Sequence, residues 1–238
     1  MTTAPHFKRI LLKLGGESLL GDREYGIDPK AALEVAQEIK SLHETKTQIV
    51  VSIGAGNIFR GISGAANGID RATADYMGML GTVMNALALQ DAVEKIGVPS
   101  RVLSGLDMRA VAEPFIRRRA IHHMEKGRVI ILAGGSGLPY FTTDTSAVLR
   151  ALELNCDVIM KATKVDGVYD KDPNKYPEAK KYQELGYMDA LKERLEVMDT
   201  SAFALCMDNK LPIMVFNFFE KGNSKRAVLG EKIGTIVK

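Results

Sequence analysis

Glycines follow three short aliphatic runs of the sequence, and this arrangement is typical of chains that bind phosphate groups. The runs cover residues 10–14, 49–53 and 129–132, and the glycines after them are Gly15 and Gly16, Gly54 and Gly56, and the cluster at 134–137. Because glycine has no side chain, backbone N–H groups can approach an anion closely where a strand ends, and a following helix adds a favourable dipole. One such turn is weak evidence, but three in one chain favour a shared site for polyanions.

Charged side chains lie beside the first two glycine turns. Lys13 lies near the end of the first run, two residues before Gly15, so its ammonium group could reach a phosphate held by the turn. A lysine on a strand is usually an exposed edge charge, but this position favours a functional role. Arg60 follows the second turn, where a guanidinium group can bind a phosphate in a forked geometry, and Asp75 could accept ribose hydroxyls. Taken singly, Arg60 and Asp75 would more often be solvated surface charges.

The segment after the third run is harder to explain as scaffolding alone. Tyr140 and Phe141 form an aromatic pair that could flank a base. Thr142, Thr143 and Asp144 follow at the start of a helical pattern, where capping the helix would need only one of them. Capping is therefore expected to be part of their role but not all of it.

Several common nucleotide and metal motifs are missing from the sequence. The nearest approach to a Walker A loop ends in Asp22 and Arg23 rather than a lysine and a hydroxyl, and Phe59 stands where a Rossmann fingerprint needs its third glycine. The four histidines (His6, His43, His122 and His123) have no metal-ligand spacing, so we expect them on the surface. Cys156 and Cys206 have no C-x-x-C spacing and are expected to be buried free thiols.

The composition is that of an ordinary globular protein. The 238 residues are 46% hydrophobic and 26% charged, and 32 basic against 29 acidic residues give a formal net charge of +3, too balanced to indicate nucleic-acid binding. Residues 1–7 lack a long apolar segment and the next apolar run is interrupted by charges, so neither a signal peptide nor a membrane span is predicted. We expect a cytoplasmic protein.

Strand and helix patterns alternate along the chain. Strands are predicted at 7–14, 48–53, 100–104, 128–133, 157–162 and 212–218, and helices at 30–43, 70–96, 114–126, 144–154, 188–194 and 200–209, before a short terminal helix and strand. This alternation predicts an α/β fold with a largely parallel central sheet covered on both faces, a three-layer αβα sandwich. The glycine turns would then share the edge formed by the carboxyl ends of the strands, where ligands bind. The loop 164–184 is the one predicted boundary between lobes.

Four segments resemble the amino-acid kinase family, and the similarity extends over nearly the whole chain, from Lys8 to Thr235. The most specific segments are Phe59–Gly61, Asp75–Leu80, Phe141–Asp144 and Lys161–Tyr169. The resemblance implies the family's αβα fold, a homohexamer, and a nucleoside monophosphate kinase that transfers phosphate from MgATP to UMP, giving UDP and ADP for pyrimidine nucleotide biosynthesis. It also implies an N-terminal lobe, 1–160, that binds UMP and a C-terminal lobe, 161–238, that binds ATP, in one compact unit.

The resemblance also implies the site residues by motif matching. Those for ATP are Lys13, Leu14, Gly15, Gly16, Gly56, Arg60, Thr163, Tyr169 and Asp172. Those for UMP are Ala55, Asp75, Ser136, Gly137, Leu138, Pro139, Tyr140, Phe141, Thr142 and Thr143. Mg²⁺ is expected to arrive with ATP, and no side chain is predicted as its ligand. The chain departs from the common family pattern at Gly15, at Ala55 and at Leu138, where an asparagine is common in the base-binding loop.

The charges suggest how such a transfer would proceed. The second ionisation of a phosphate monoester lies near pH 6, so the acceptor is already anionic at neutral pH and needs no general base. The obstacle is repulsion between two polyanions, and catalysis should consist of positioning and neutralisation. We assign Lys13 to the bridging and γ-phosphate oxygens, Arg60 to the transferring group, and Asp144 to orienting these cations.

Alternatives remain open at this point. Carbamate, acetylglutamate, aspartate and isopentenyl phosphate kinases share the scaffold, and a non-catalytic nucleotide-sensing regulator or a dinucleotide-binding dehydrogenase are candidates from other classes. The resemblance also suggests GTP as an activator and UTP as an inhibitor. Arg117, Arg118 and Arg119 are interpreted as a solvated helix face or a subunit contact, with a GTP site between subunits as the alternative.

Overall fold

The computed structural model describes residues 5–61, 64, 68–195 and 197–238, and their strands form one sheet. The strands are β1 (Arg9–Leu14), β2 (Gln48–Ile53), β3 (Ser100–Ser104), β4 (Glu113–Pro114), β5 (Val129–Ala133), β6 (Val158–Thr163), β7 (Glu184–Leu185), β8 (Ile213–Asn217) and β9 (Thr235–Val237). Their order across the sheet is β4-β3-β5-β2-β1-β6-β8-β9-β7. Neighbouring strands are parallel except for β8 and β9, which are antiparallel. The predicted largely parallel sheet is therefore confirmed.

Helices connect these strands. They are α1 (Pro29–His43), α2 (Arg71–Lys95), α3 (Arg117–Glu125), α4 (Thr143–Glu153), α5 (Tyr187–Lys192), α6 (Thr200–Asp208) and α7 (Asn223–Val228), and a short 3-10 turn covers Gly16–Leu19. The start of α1 follows from the sequence, because Pro29 occupies its first position and the Asp28 carboxylate accepts a hydrogen bond of 3.0 Å from Lys30 N.

Two hydrophobic cores lie on opposite faces of the sheet. Alternate residues of β1 point to opposite faces, so Ile10 and Leu12 belong to one core and Leu11 to the other. The first core includes residues of α1, α2 and α7, and the second includes residues of α3, α4, α5 and α6. These two helical layers with the sheet between them confirm the three-layer αβα sandwich.

The structure differs from the predicted elements in two short strands. β4 and β7 have two residues each, which is too short for alternation to be visible in the sequence. The proposed division at 160 and 161 lies within β6, which pairs with β1 on one side and β8 on the other. A single sheet thus crosses that position, and the assignment of the two lobes to different ligands remains a prediction.

The prediction that all four histidines lie on the surface is wrong for His123. This side chain is buried, with Nδ1 accepting a hydrogen bond of 2.9 Å from Arg128 and Nε2 lying 3.2 Å from Glu113. Burial is tolerated because both ring nitrogens have partners. Cys156 and Cys206 are free and buried, as expected, and burial raises the pKa of each thiol to about 12.

Arg117, Arg118 and Arg119 are exposed at the start of α3. This exposure fits a solvated helix face and a subunit contact equally, so the role of these arginines stays a prediction. Across the described parts of the chain, no helix combines the length and the apolar character that spanning a bilayer would require. Residues 1–4 of the N-terminal segment, for which no signal peptide is predicted, lie outside the described residues.

Candidate functional site

The three glycine turns meet at one edge of the sheet, where the parallel strands β1, β2 and β5 end. They line a cleft of about 470 Å³ together with residues from α2 and from the loop before α4. Predicted site residues that line this cleft are Lys13, Gly15, Gly16, Ala55, Gly56, Arg60, Asp75, Ser136, Phe141, Thr142 and Thr143. The sequence prediction of a shared site at the carboxyl ends of the strands therefore matches the geometry.

Close packing of the first two turns explains the need for glycine at Gly16. A Cβ atom at this position would lie 2.7 Å from Gly56 N, closer than real side chains approach a backbone atom. The third turn uses glycine for a different reason, because Gly134, Gly135 and Gly137 have φ angles of 68°, 55° and 79°. Residues with side chains rarely adopt these angles.

Two lysines on neighbouring strands share one carboxylate. Lys13 and Lys161 are register partners on β1 and β6, so their side chains leave the same face of the sheet. Lys13 Nζ lies 2.9 Å from Asp144 Oδ1, and Lys161 Nζ lies 3.0 Å from Asp144 Oδ2. Asp144 is in the first turn of α4, where a negative charge is favoured by the helix dipole. The predicted role of Asp144 in orienting cations agrees with this geometry, but Lys161 is a partner that the sequence prediction missed.

The Asp144 carboxyl stays ionised in this environment. Burial raises its pKa, but the positive charges of Lys13 and Lys161 and their hydrogen bonds outweigh this effect, and the pKa falls to about 2. Lys13 is buried, and Lys161 also donates a hydrogen bond of 2.6 Å to Val197 O. The cluster therefore has two ammonium groups, one carboxylate and a net positive charge beside the cleft.

Arg60 reaches the cleft but is paired with a carboxylate of the chain itself. Its guanidinium group forms an ion pair with Glu17, and both side chains are exposed. The Glu17 carboxylate lies against the glycine turns, so that a Cβ atom at Gly15 would come within 2.6 Å of Glu17 Oε2. A protein anion thus occupies the space between the first two glycine turns. This pairing is not predictable from local sequence patterns, because the two residues are 43 positions apart.

Asp75 also lines this cleft. Its carboxylate accepts hydrogen bonds from Arg71 Nε at 2.9 Å and from Tyr140 N at 2.8 Å. Gly137, Leu138, Pro139 and Tyr140 belong to the same loop as the cleft-lining residues Ser136 and Phe141, but the cleft wall does not include them. The side chains of Tyr140 and Phe141 are both exposed, in keeping with an aromatic pair that is open to a ligand.

The loop before α4 is tied to α6 by Asp199, a residue absent from the sequence prediction. Thr142 caps α4 by accepting hydrogen bonds of 3.1 Å from Asp144 N and Thr145 N, and its hydroxyl donates to the Asp199 carboxylate. Thr145 Oγ1 donates to the same carboxylate at 3.0 Å, and Asp199 caps α6 through Ala202 N at 3.1 Å. One carboxylate therefore joins the starts of two helices.

A second cleft of about 520 Å³ contains the other predicted ATP residues. Thr163, Tyr169 and Asp172 line it together with Lys161 and Arg194. Lys161 thus borders this cleft while its ammonium group contacts Asp144, so the charge cluster lies between the two clefts. The hydrogen bond from the Tyr169 hydroxyl to Asp166 raises the pKa of Tyr169 to about 12, so this residue is a neutral donor at physiological pH. Leu14 has a fully buried side chain, which leaves only its backbone available to a ligand.

The acidic residues at the clefts do not form a cage for a metal ion. Among the described residues, no group of three or more His, Cys, Asp and Glu side chains could hold one. Asp144, Glu17 and Asp75 are each paired with a basic side chain. Mg²⁺ needs near-octahedral oxygen ligands, so this donor set fits an ion that arrives with oxygen ligands of its own.

Comparisons with known proteins agree with this geometry. The family model described as the amino acid kinase family matches residues 8–217. A solved UMP kinase from Bacillus anthracis is 40% identical with a TM-score of 0.94, covering 98% of this chain and 96% of its own. A UMP kinase from Ureaplasma parvum is 35% identical with a TM-score of 0.90 over 97% of this chain and 98% of its own. A uridylate kinase from Archaeoglobus fulgidus is 28% identical with a TM-score of 0.74 over 96% and 99%. With a family match over most of its length and a charged cleft at the strand ends, this chain belongs to the amino acid kinase family.

Proposed function

We propose that this chain is a UMP kinase, a nucleoside monophosphate kinase that transfers the γ-phosphoryl group of ATP to UMP. Three solved kinases that are named for UMP or uridylate resemble this chain over at least 96% of its length. This similarity supports UMP as the phosphate acceptor. The observation that carries the chemistry is the cluster of Lys13, Lys161 and Asp144 between the two clefts. Phosphoryl transfer needs positive charge where the donor and acceptor phosphates meet, and this cluster supplies it.

Each half of the reaction has its own cleft in this proposal. UMP occupies the cleft of Ala55, Asp75 and the loop 136–143, mostly in residues 1–160, and the adenosine of ATP occupies the cleft of Thr163, Tyr169 and Asp172 in residues 161–238. The ATP phosphates extend towards Lys13 and the glycines at 15, 16 and 56, where backbone N–H groups and Arg60 bind them. The acceptor phosphate is already anionic and attacks without a general base.

The charged side chains at the clefts have different roles in the transfer. Lys13 and Lys161 neutralise the developing charge on the transferred group, and Asp144 fixes their positions without being consumed. Arg60 must leave Glu17 before it can bind the transferring phosphoryl group. When bound with ATP, Mg²⁺ would supply further neutralisation of the phosphate charges.

We also propose a homohexamer, in agreement with the family resemblance. Large apolar side chains are exposed along one face of α2, and we call this set the α2 stripe: Tyr76, Met77, Leu80 and Met84. Exposed apolar patches of this kind often mark protein contacts. A cytoplasmic location, with GTP and UTP as regulators, completes the proposal, and the need for ATP and the two free thiols support that location.

The acceptor is tested by measuring ADP release with UMP, CMP, acetylglutamate and carbamate offered separately. We expect the fastest turnover with UMP, and the Lys13→Ala variant serves as the blank for contaminating kinases. Faster turnover with any other acceptor would contradict the proposal. Binding of ATP and UMP without any ADP release would favour the nucleotide-sensing regulator instead.

A further inference from the structure

The Asp75 carboxylate is enclosed on three sides by the protein. Arg71 Nε lies 2.9 Å from Oδ2 and 3.1 Å from Oδ1, and Tyr140 N donates to Oδ2 at 2.8 Å. Gly61 covers a third side so closely that a side chain there would overlap Oδ1. The Asp75 side chain is only 12% exposed, and its open side faces the cleft that Asp75 lines. The lone pairs left for a ligand therefore point in one direction.

Arg71 contacts the loop that contains Tyr140, in addition to Asp75. Its guanidinium carbon lies 5.5 Å from the centre of the Tyr140 ring, within the range of a cation–π contact. Tyr140 has a φ angle of 70°, a left-handed conformation that is strained for a bulky residue and persists only where the surroundings hold it. Arg71 and Asp75 together supply two of the contacts that hold it.

Arg71 is not placed where an arginine would stabilise its helix. It is the first residue of α2, where the helix dipole disfavours a positive charge. Its ion pair with Asp75 offsets this cost but does not explain why the residue borders the cleft. A role at the ligand accounts for both observations.

We infer that Arg71 is a positioning residue that makes the acceptor site selective for a ribonucleotide over a 2′-deoxyribonucleotide. The inference rests on the proposed function, in which Asp75 accepts the ribose hydroxyls. Arg71 fixes the rotation of the Asp75 carboxylate, so that its free lone pairs meet both hydroxyls of the sugar. Without Arg71 the carboxylate rotates and the 2′-hydroxyl loses its acceptor, whereas the ligand contacts that do not involve Asp75 are unchanged.

The test compares UMP with dUMP for the wild type, Arg71→Gln and Arg71→Lys. The wild type is expected to prefer UMP, and Arg71→Gln is expected to reduce the ratio of kcat/KM for UMP to that for dUMP by about tenfold, the effect of one hydrogen bond to a charged group. The change should appear in KM and in the calorimetric Kd for UMP, with kcat and dUMP binding nearly unchanged. Arg71→Lys should fall between the two, because an ammonium group cannot donate from the Nε position or stack in the same way.

A matched control lies at the other end of the same helix. Lys95 and Asp91 form a second ion pair with i,i+4 spacing on α2, and both side chains are exposed. Lys95→Met removes the cation of this pair and should leave the UMP to dUMP ratio unchanged. Asp75→Asn should lower the ratio as well, and adding Arg71→Gln to it should have little further effect, because the two residues act as one unit.

Several results would overturn the inference. If Arg71→Gln weakened the binding of UMP and of dUMP equally, Arg71 would bind the phosphate directly or the site would have collapsed. Arg71→Lys with a normal melting curve would separate these two cases. An unchanged ratio in both variants, or a wild type without preference, would also contradict it. If the wild type binds UMP tightly but releases no ADP, the proposed function fails while the calorimetric ratio still tests Arg71. If it binds neither nucleotide, both fail.

Discussion

A single carboxylate, that of Asp144, lies between the ammonium groups of Lys13 and Lys161. Because Lys13 is buried, its positive charge would be costly without this partner. Removing one member of a buried ion pair typically costs about 3–5 kcal/mol, since the other charge is left uncompensated. The cluster therefore couples the stability of the chain to the groups that would do its chemistry.

Lys13→Ala should lower kcat for UMP by about 100- to 1000-fold, the effect of losing a donor that stabilises the transition state. Steady-state kinetics with saturating ATP and UMP would measure this loss. Lys8→Ala is the matched control, because Lys8 is exposed and directly precedes the first residue of β1, at the end of the strand away from Lys13. The kcat of this variant should stay normal. A near-normal kcat for Lys13→Ala would contradict the role assigned to this residue.

The same cluster predicts a dependence of stability on pH. The pKa of Asp144 is about 2 in the folded chain and about 3.9 when unfolded, so the carboxylate stabilises the fold above pH 4, and this stabilisation is lost as the pH falls from 4 to 2. The size of this stabilisation is about 2–3 kcal/mol at neutral pH.

Urea unfolding of the wild type and Asp144→Asn from pH 7 down to pH 3 would measure the difference. We expect the variant to be less stable at pH 7, with the gap narrowing below pH 4. A gap that is constant across this range would show that the charge of Asp144 is not what stabilises the fold.

At the scale of elements, Asp199 joins the starts of α4 and α6. Its carboxylate accepts hydrogen bonds from Thr142, Thr145 and Ala202 N, and α4 carries Asp144 in its first turn. The position of the charge cluster therefore depends on a residue 55 positions away from Asp144 in the sequence.

Asp199→Asn should lower both stability, by about 1–2 kcal/mol, and kcat, because an amide cannot accept all of these hydrogen bonds. Asp28→Ala removes the cap of α1. Asp28 lies outside the cleft, so this change should reduce stability without reducing kcat. Thermal unfolding together with kinetics on both variants distinguishes the two cases. Equal kcat values would show that Asp199 only caps its helix.

The helices and strands differ in how far their positions can be predicted from the sequence. Helix starts at Asp28 and Asp70 and the glycine turns after β1, β2 and β5 depend on residues close together in the chain, so local patterns are sufficient to find them. Lys161 could not be assigned to the cluster, because its place beside Lys13 depends on the pairing of β1 with β6, and those strands are about 145 residues apart. The Glu17 pairing and the burial of His123 likewise depend on tertiary contacts.

For the whole molecule, the α2 stripe predicts self-association. Met84→Lys should lower the mass of the assembly measured by light scattering, because a charge placed in an apolar contact must be desolvated. Met84 lies outside the cleft wall, and Lys95→Met on the same helix is the control that should leave the mass unchanged. A wild type that is monomeric at micromolar concentration would contradict the hexamer proposal.

The Glu17–Arg60 ion pair has a consequence for the whole molecule as well. Under the proposed function, a phosphate group of the incoming nucleotide replaces the Glu17 carboxylate as the partner of Arg60. The nucleotide therefore does not bind to an unpaired positive charge. Chloride or a lone inorganic anion gains little from that exchange, whereas a chain of linked phosphates gains with each oxygen it adds. The affinity of the cleft for a ligand would then depend first on the number of negative charges that the ligand carries and only secondarily on its shape.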